Sequence, residues 1–257
     1  MAKYLSTLPN VGAGVGHQFA EWNCGFLLAK RYGLTFVHRR FAIWEDFLRF
    51  GEGEVGYTDI FPLPPGKRVV HLPMLDLQSE QGISQLEKSV ETTNDGDLLH
   101  LAYGQNMFDQ TATAGMVSRK YWLTHTPSTI YKTGSMKVGV HIRRGDILRL
   151  PPDECASRIL PNSYYVAQIE SLKSIYPSLD IHIFSEGDPS QFSELGHYAL
   201  HLNENHFESF NNLASADILI LSRSGFSYLA GLVSSGLKIT PYPWWHKFPD
   251  EWIKISV

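Results

Sequence analysis

The sequence predicts an α/β protein whose doubly wound parallel sheets form two similar lobes. Three observations predict this. Short β-branched runs alternate with helix-spaced segments through the second half. Near the start, a glycine-rich turn, a helix pattern and a strand follow one another. Between the halves, Thr126, Pro127, Gly134 and Ser135 interrupt the pattern. Right-handed crossovers turn such alternation into parallel sheets, which bind ligands at the carboxyl ends of their strands.

In chain order, Gly12–Gly16 reads as a loop that no convincing strand precedes. Phe19, Trp22, Phe26 and Ala29 then recur at helical spacing, and Gly33 ends that helix. Leu34–His38, Arg68–His71 and Leu98–Tyr103 read as strands. In the second half, Lys137–Ile142 (KVGVHI) is a β-branched run suited to a buried strand, and a loop with Pro151 and Pro152 follows. Asn162 or Ser163 is placed to cap a helix that carries Tyr165, Ile169, Leu172 and Ile175 on one side and stops at Pro177. Asp180–Phe184 is the next strand and Phe207–Ala214 a helix. Ile218–Leu221 is a strand, Phe226–Val233 a helix ending near Gly236, and Leu237–Thr240 a final strand. The expected division is residues 1–130, residues 131–240, and a tail over 241–257 packing back on the first lobe.

Composition narrows the function. The 43% hydrophobic and 12% aromatic fractions of the 257 residues supply cores for one large or two small domains, and 19% charged excludes a disordered chain. Lys and Arg number 22 against 26 Asp and Glu, a net charge of −4. That argues against a nucleic-acid partner, so any anion site must be built from a few placed groups. Cys24 and Cys155 read as free thiols, and two cysteines supply neither a disulfide framework nor a zinc knuckle. The start MAKYLSTLPNVGAG lacks a secretory apolar region, and no run approaches the ~20 apolar residues that span a bilayer. The sequence as given therefore reads as soluble and cytoplasmic, without a membrane span.

Two constellations point to an anion. His141-Ile142-Arg143-Arg144-Gly145-Asp146 leaves a buried strand with two adjacent arginines, whose planar forks match paired phosphate oxygens; Asp146 can hold one of them. An adhesion role for Arg144-Gly145-Asp146 would need an exposed turn tip, whereas here the tripeptide leaves a core-like strand. Ser222-Arg223-Ser224-Gly225-Phe226-Ser227 joins a strand to a helix N-terminus, where free amides and the macrodipole favour anions. Ser224 and Ser227 add hydroxyls there, and Gly225 permits close approach. Gly14 and Gly16 let a third helix N-terminus approach a ligand, although G-x-G-x-G is not the dinucleotide spacing. Glu186 after its strand and Asp217 are acidic candidates. The remaining histidines, among them His71, His182 and His201, lack metal-ligand spacing, so no metal site is expected. Trp244 and Trp245 read first as packing residues and second as platforms for sugar rings.

Together VGVHIRRGD, FSEGD, DILILSRSGFSYLAG and GAGVGHQFAEW resemble the motifs of the fucosyltransferase superfamily of GT-B glycosyltransferases. VGVHIRRGD matches H-x-R-R-x-D, and His17 stands where that family commonly has asparagine. The resemblance spans roughly residues 11–245. It implies two Rossmann-like lobes facing across a cleft, with GDP-fucose bound to the second lobe as donor substrate, no cofactor and no metal. It also implies inverting transfer to a hydroxyl of a glycan acceptor. Carried over, Arg143 contacts the β-phosphate, with His141, Arg144 and Asp146 shaping the site. Ser222, Ser224, Gly225, Phe226 and Ser227 line the phosphate side, and Glu186 and Asp217 lie near the nucleoside. His17 and Glu21, one helical turn apart, are the candidate general bases, with Asp46 third. Another nucleotide-sugar donor (GDP-mannose, GDP-rhamnose or a UDP-sugar) and a catalytically silent binding module are the competing readings. Acceptor and oligomeric state are left open.

Overall fold

The computed structural model describes residues 3–7, 10, 12–50, 66–102 and 109–257. They fall into two compact units, Met1–Tyr121 and Trp122–Val257.

The first unit holds four parallel strands in the order β2-β1-β4-β3: β1 (Tyr4–Thr7), β2 (Thr35–Phe36), β3 (Val69–Leu72) and β4 (Leu98–Leu101). Helix α1 (Val15–Arg31) links β1 to β2, α2 (Glu80–Thr92) links β3 to β4, and α3 (Ala114–Trp122) follows. A strand does precede the glycine-rich turn, contrary to the sequence reading. Tyr-Leu-Ser-Thr shows no apolar run because Ser6 and Thr7 are buried polar residues. Gly25 fixes how closely α1 approaches this sheet, since a Cβ there would lie 2.4 Å from Thr7 Cγ2 and 3.0 Å from the Phe36 ring. Gly33 carries the positive φ of 65° expected where α1 stops. Of the expected Leu98–Tyr103 strand, Tyr103 lies outside the described residues.

The second unit is a six-stranded parallel sheet, order β10-β9-β8-β5-β6-β7. Its strands are β5 (Met136–His141), β6 (Leu179–Ser185), β7 (Ala199–Leu202), β8 (Ile218–Ile220), β9 (Leu237–Tyr242) and β10 (Ile253–Ser256). Its helices are α4 (Pro152–Arg158), α5 (Asn162–Ile175), α6 (His206–Ala214) and α7 (Gly225–Val233). Tyr164, Tyr165, Ile169 and Leu172 of α5 join Val138, Val140, Ile181, Ile183, Ile218 and Ile220 in one core cluster. On the opposite face, Gly139 lets α6 approach: a Cβ there would sit 3.1 Å from Ala216 and 3.3 Å from Leu213. The chain runs outward through β5, β6 and β7, then returns to start β8 on the other flank of β5. Strand order therefore reverses between β5 and β8, where parallel sheets of this kind open a crevice.

Three expectations change. Residues 241–257 belong to the second unit, because β10 pairs with β9 in parallel and extends its sheet. Pro152 opens the short helix α4 instead of sitting in a loop, its missing N–H costing nothing in a first turn. Helix α5 begins at Asn162 with no side-chain cap, since the Asn162 amide is engaged elsewhere. Among the described residues, no helix is long and apolar enough to cross a membrane.

Candidate functional site

Both anion motifs lie at the reversal point. HIRRGD follows β5 and the serine turn follows β8, and these strands pair directly, with Val140 beside Ile220. Neighbouring parallel strands lie about 4.8 Å apart, so the two turns share one rim of the sheet.

The two arginines part company at once. Arg144 turns into the protein, 8% exposed, and donates to the carbonyls of Arg143 (2.8 Å) and Leu160 (3.2 Å) and to Asn162 Oδ1 (2.9 Å). Burial lowers its pKa, yet a guanidinium stays charged throughout the physiological range. Asn162, read from sequence as a helix cap, is the residue that anchors it; its own amide donates to Gln191 O at 2.7 Å. Arg143 instead stays on the rim, ion-paired with Asp146 and lying 3.8 Å from Glu186. Asp146 thus holds Arg143, and Arg144 shapes the site from behind rather than facing a ligand.

Gly145, at φ 73°, makes this turn possible. A Cβ on it would fall 1.8 Å from Glu186 Oε2, so the Glu186 carboxylate occupies the space a side chain would need. His141 is buried, with Nδ1 2.7 Å from Ser222 Oγ and its ring 5.3 Å from that of Phe226. Burial first, and the Arg143 charge second, push its pKa down to about 3, so it is neutral at physiological pH.

The serine turn does not work as the sequence suggested. Ser227 is fully buried, its hydroxyl within 3.2 Å of the carbonyls of Ser222 and Ser224. Ser222 is committed to His141 and Ser227, and Ser224 caps α7 by accepting from Phe226 N at 3.3 Å. These hydroxyls build the turn. What remains for a ligand is the Ser224 O–H, whose oxygen only accepts in the cap, together with the amides of Gly225 and Ser227, which in the first turn of α7 have no intrahelical acceptor.

Asp217 leaves the candidate site. It precedes β8, its backbone N–H donates to Lys137 O (2.9 Å) and its carboxylate accepts from Lys137 N (3.0 Å), at the amino end of the sheet. Five residues of extended chain, roughly 16 Å, separate it from Ser222. Its place at the start of a strand was already legible in the sequence, where Asp217 directly precedes Ile218–Leu221.

In the first unit, Gly14 is the extended residue before α1 and Gly16 lies buried inside its first turn. Glu21 is buried, accepts from Asn10 N at 3.3 Å and lies 3.5 Å from His17 Nε2. Gln18, which sequence reasoning passed over, ties the same turn down. Its Nε2 donates to Asn10 O (3.0 Å) and Ala13 O (2.8 Å), while Oε1 accepts from Ala42 N (2.8 Å). Glu21 is therefore committed inside the turn, whereas the His17 side chain is 41% exposed. Asp46 is exposed and pairs with Arg49 at 2.9 Å. Trp244 joins Tyr228, His246, Phe248 and Trp252 in an aromatic cluster, and Trp245 stays exposed beneath Arg158, 5.3 Å from its ring centre. Among the described residues, no group of three His, Cys, Asp or Glu side chains is placed to hold a metal ion.

No protein-family model and no curated protein sequence matches the chain. Solved structures do. POFUT1 in complex with GDP-fucose aligns at a TM-score of 0.52 and 9% identity, covering 91% of this chain and 96% of that one. A mutant of Arabidopsis thaliana FUT1 in complex with GDP aligns at 0.52 and 9% identity, covering 93% of this chain and 70% of that one. The likeness establishes a shared fold with these fucosyltransferases.

Proposed function

We propose that the protein is a glycosyltransferase that moves fucose from GDP-fucose to a hydroxyl of a glycan acceptor, inverting the anomeric centre without a metal. The observation that carries this reading is that Arg143 and the α7 N-terminus follow the adjacent strands β5 and β8 at the reversal point of the sheet. The fold shared with a GDP-fucose complex supports it.

In this reading the two units are the lobes of a GT-B enzyme, and the second holds the donor. As the acceptor hydroxyl attacks the anomeric carbon, negative charge grows on the departing diphosphate. Arg143 and the first-turn amides of α7 stabilise that charge, fixed in place before the reaction begins. Asp146 and Glu186 hold the guanidinium on the rim until phosphate oxygens take over its fork. Neutral His141 orients Ser222, and through it the turn, adding no charge of its own. Of the two candidate bases His17 has the exposed side chain, with the buried Glu21 carboxylate 3.5 Å away to stabilise the imidazolium.

A thermal-shift panel of GDP, UDP, CDP and their sugars tests the donor. GDP and GDP-fucose should raise the melting temperature of the folded protein. A shift with UDP alone would replace the donor, and no shift with any nucleotide would leave a silent fold. Transfer should survive EDTA, and loss of turnover in the chelator would overturn the metal-free mechanism.

A further inference from the structure

A continuous line of side chains crosses one face of the second sheet, apart from the site described above. Asp180 Oδ2 lies 3.1 Å from His182 Nε2, and His182 Nδ1 lies 2.8 Å from His201 Nε2. His201 Nδ1 in turn lies 3.0 Å from Glu204 Oε1. Each of these three contacts needs one N–H proton when both carboxylates are ionised. Two neutral imidazoles carry only two ring protons between them. The line is complete only when the pair holds a third, giving one imidazolium shared between two rings and flanked by two carboxylates.

The surroundings support that count. Lys132 N donates to Asp180 Oδ2 at 2.6 Å, with Lys132 Nζ 3.8 Å from Oδ1. The Tyr131 ring stands edge-on to His182 at 4.8 Å, its hydroxyl donating to Asn212 O, and Phe184 stacks on His201 at 4.7 Å. The buried side of α6 is Phe210, Asn212, Leu213 and Ala214, none of them titratable. Asp180, Lys132, Tyr131 and Glu204 are thus the charged and titratable groups around the two rings. Burial lowers the pKa of His182 despite Asp180.

The far end of the line reaches the diphosphate rim. Glu204 follows Asn203, which sits at a positive φ of 57° and bonds to Ser185 O through its N–H. The Asn203 amide clamps Gly187 twice, accepting from its N–H and donating to its carbonyl, both at 2.9 Å. Gly187 directly follows Glu186, the partner of Arg143.

We propose that His182 and His201 form a proton-sharing pair that positions Glu186 and Arg143 by anchoring Glu204, so that binding of a diphosphate weakens as the pair loses its third proton. His201 and Glu204 are positioning residues, not catalytic ones. The proposal rests on the diphosphate reading of the rim, and it predicts a variant that escapes the pH dependence. In Glu204→Gln the amide itself donates to His201 Nδ1, so two neutral rings complete the line.

The test combines two readouts on the full chain. Imidazole nitrogen NMR should count three ring protons on His182 and His201 on the acid side of their transition and two on the alkaline side. The Arg143 side-chain resonance, followed without nucleotide, should move through the same transition. Calorimetry should show the Kd for GDP rising roughly fivefold or more across it in the wild type. Glu204→Gln should stay tight, and Glu204→Ala weak, with neither responding to pH. Two ring protons throughout the range in which the fold is intact, or an Arg143 resonance that ignores the transition, would overturn the proposal. If the protein binds no GDP at any pH while Arg143 still follows the pair, the donor reading fails and the proton-sharing line stands.

Discussion

Replacing Arg144 with alanine should strongly destabilise the second unit, whereas replacing its neighbour Arg143 should leave the unit stable and weaken its hold on a diphosphate. Arg144 makes three charge-assisted hydrogen bonds from a site only 8% exposed. Bonds to charged groups contribute about 1.5–3 kcal/mol each, and deletions around one group do not add in full, so the loss should be about 3–5 kcal/mol. For a unit of this size that lowers Tm by roughly 10–15 °C. Arg143 pairs with Asp146 and Glu186, whose side chains are 71% and 58% exposed. Exposed pairs contribute about 0.2–1 kcal/mol, so Arg143→Ala should cost about 1 kcal/mol or less in stability. Its loss should instead raise the Kd for GDP by roughly 30-fold or more, the equivalent of about 2 kcal/mol from a phosphate fork. Thermal melts and calorimetry on both variants decide it. A stable Arg144→Ala, or an Arg143→Ala that melts 10 °C early with normal GDP affinity, would refute the assignment of inner and outer arginine.

Three further outcomes follow from the geometry. Gly145→Ala must adopt a left-handed backbone and displace Glu186, so denaturant unfolding should show a loss of about 1–2 kcal/mol; an unchanged midpoint would mean the turn relaxes freely. Asp217→Ala should cost about 1 kcal/mol of stability through Lys137 N but leave GDP affinity within twofold by calorimetry, and a large affinity loss would return Asp217 to the site. His141 has a folded-state pKa near 3, below the unfolded value of about 6.5, so the unfolded chain takes up the proton first. Its contribution is complete above about pH 6.5 and is lost as the pH falls toward 3. Denaturant midpoints should therefore drop more steeply between pH 7 and 4 in the wild type than in His141→Asn, and parallel curves would contradict a buried neutral imidazole.

The fold was legible where packing is reflected in periodicity. Val138, Val140, Ile181, Ile183, Ile218 and Ile220 are buried on one face of a parallel sheet and Phe184 and Leu219 on the other, and strands covered on both faces appear in sequence as nearly unbroken apolar runs. β1 was not legible because Ser6 and Thr7 are buried polar residues, and β7 (Ala-Leu-His-Leu) was hidden because His201 is engaged with other side chains rather than with solvent. β10 carries two exposed residues at its start and pairs only along one edge, so its pattern resembles that of a tail.

The site divides along a different physical line. Residue type and place in a strand–turn–helix unit put HIRRGD and the serine turn at the carboxyl ends of their strands, where the structure has them, because strand ends and helix N-termini are fixed by local chain geometry. Which arginine faces outward depends on Leu160 and Asn162, 16 and 18 residues away from Arg144, and nothing local encodes those contacts. The Ser227 hydroxyl was misread for the same reason: a structural serine and a ligand-binding serine are spelled alike, and only its bonds to the Ser222 and Ser224 carbonyls, with Ser222 bridging it to His141, show that the turn uses it itself. In the proposed reading, attraction for a diphosphate rests on one guanidinium, the Ser224 O–H and a few amides. Such short-range, oriented groups are compatible with a net charge of −4, because a global field of the opposite sign is screened over about 10 Å.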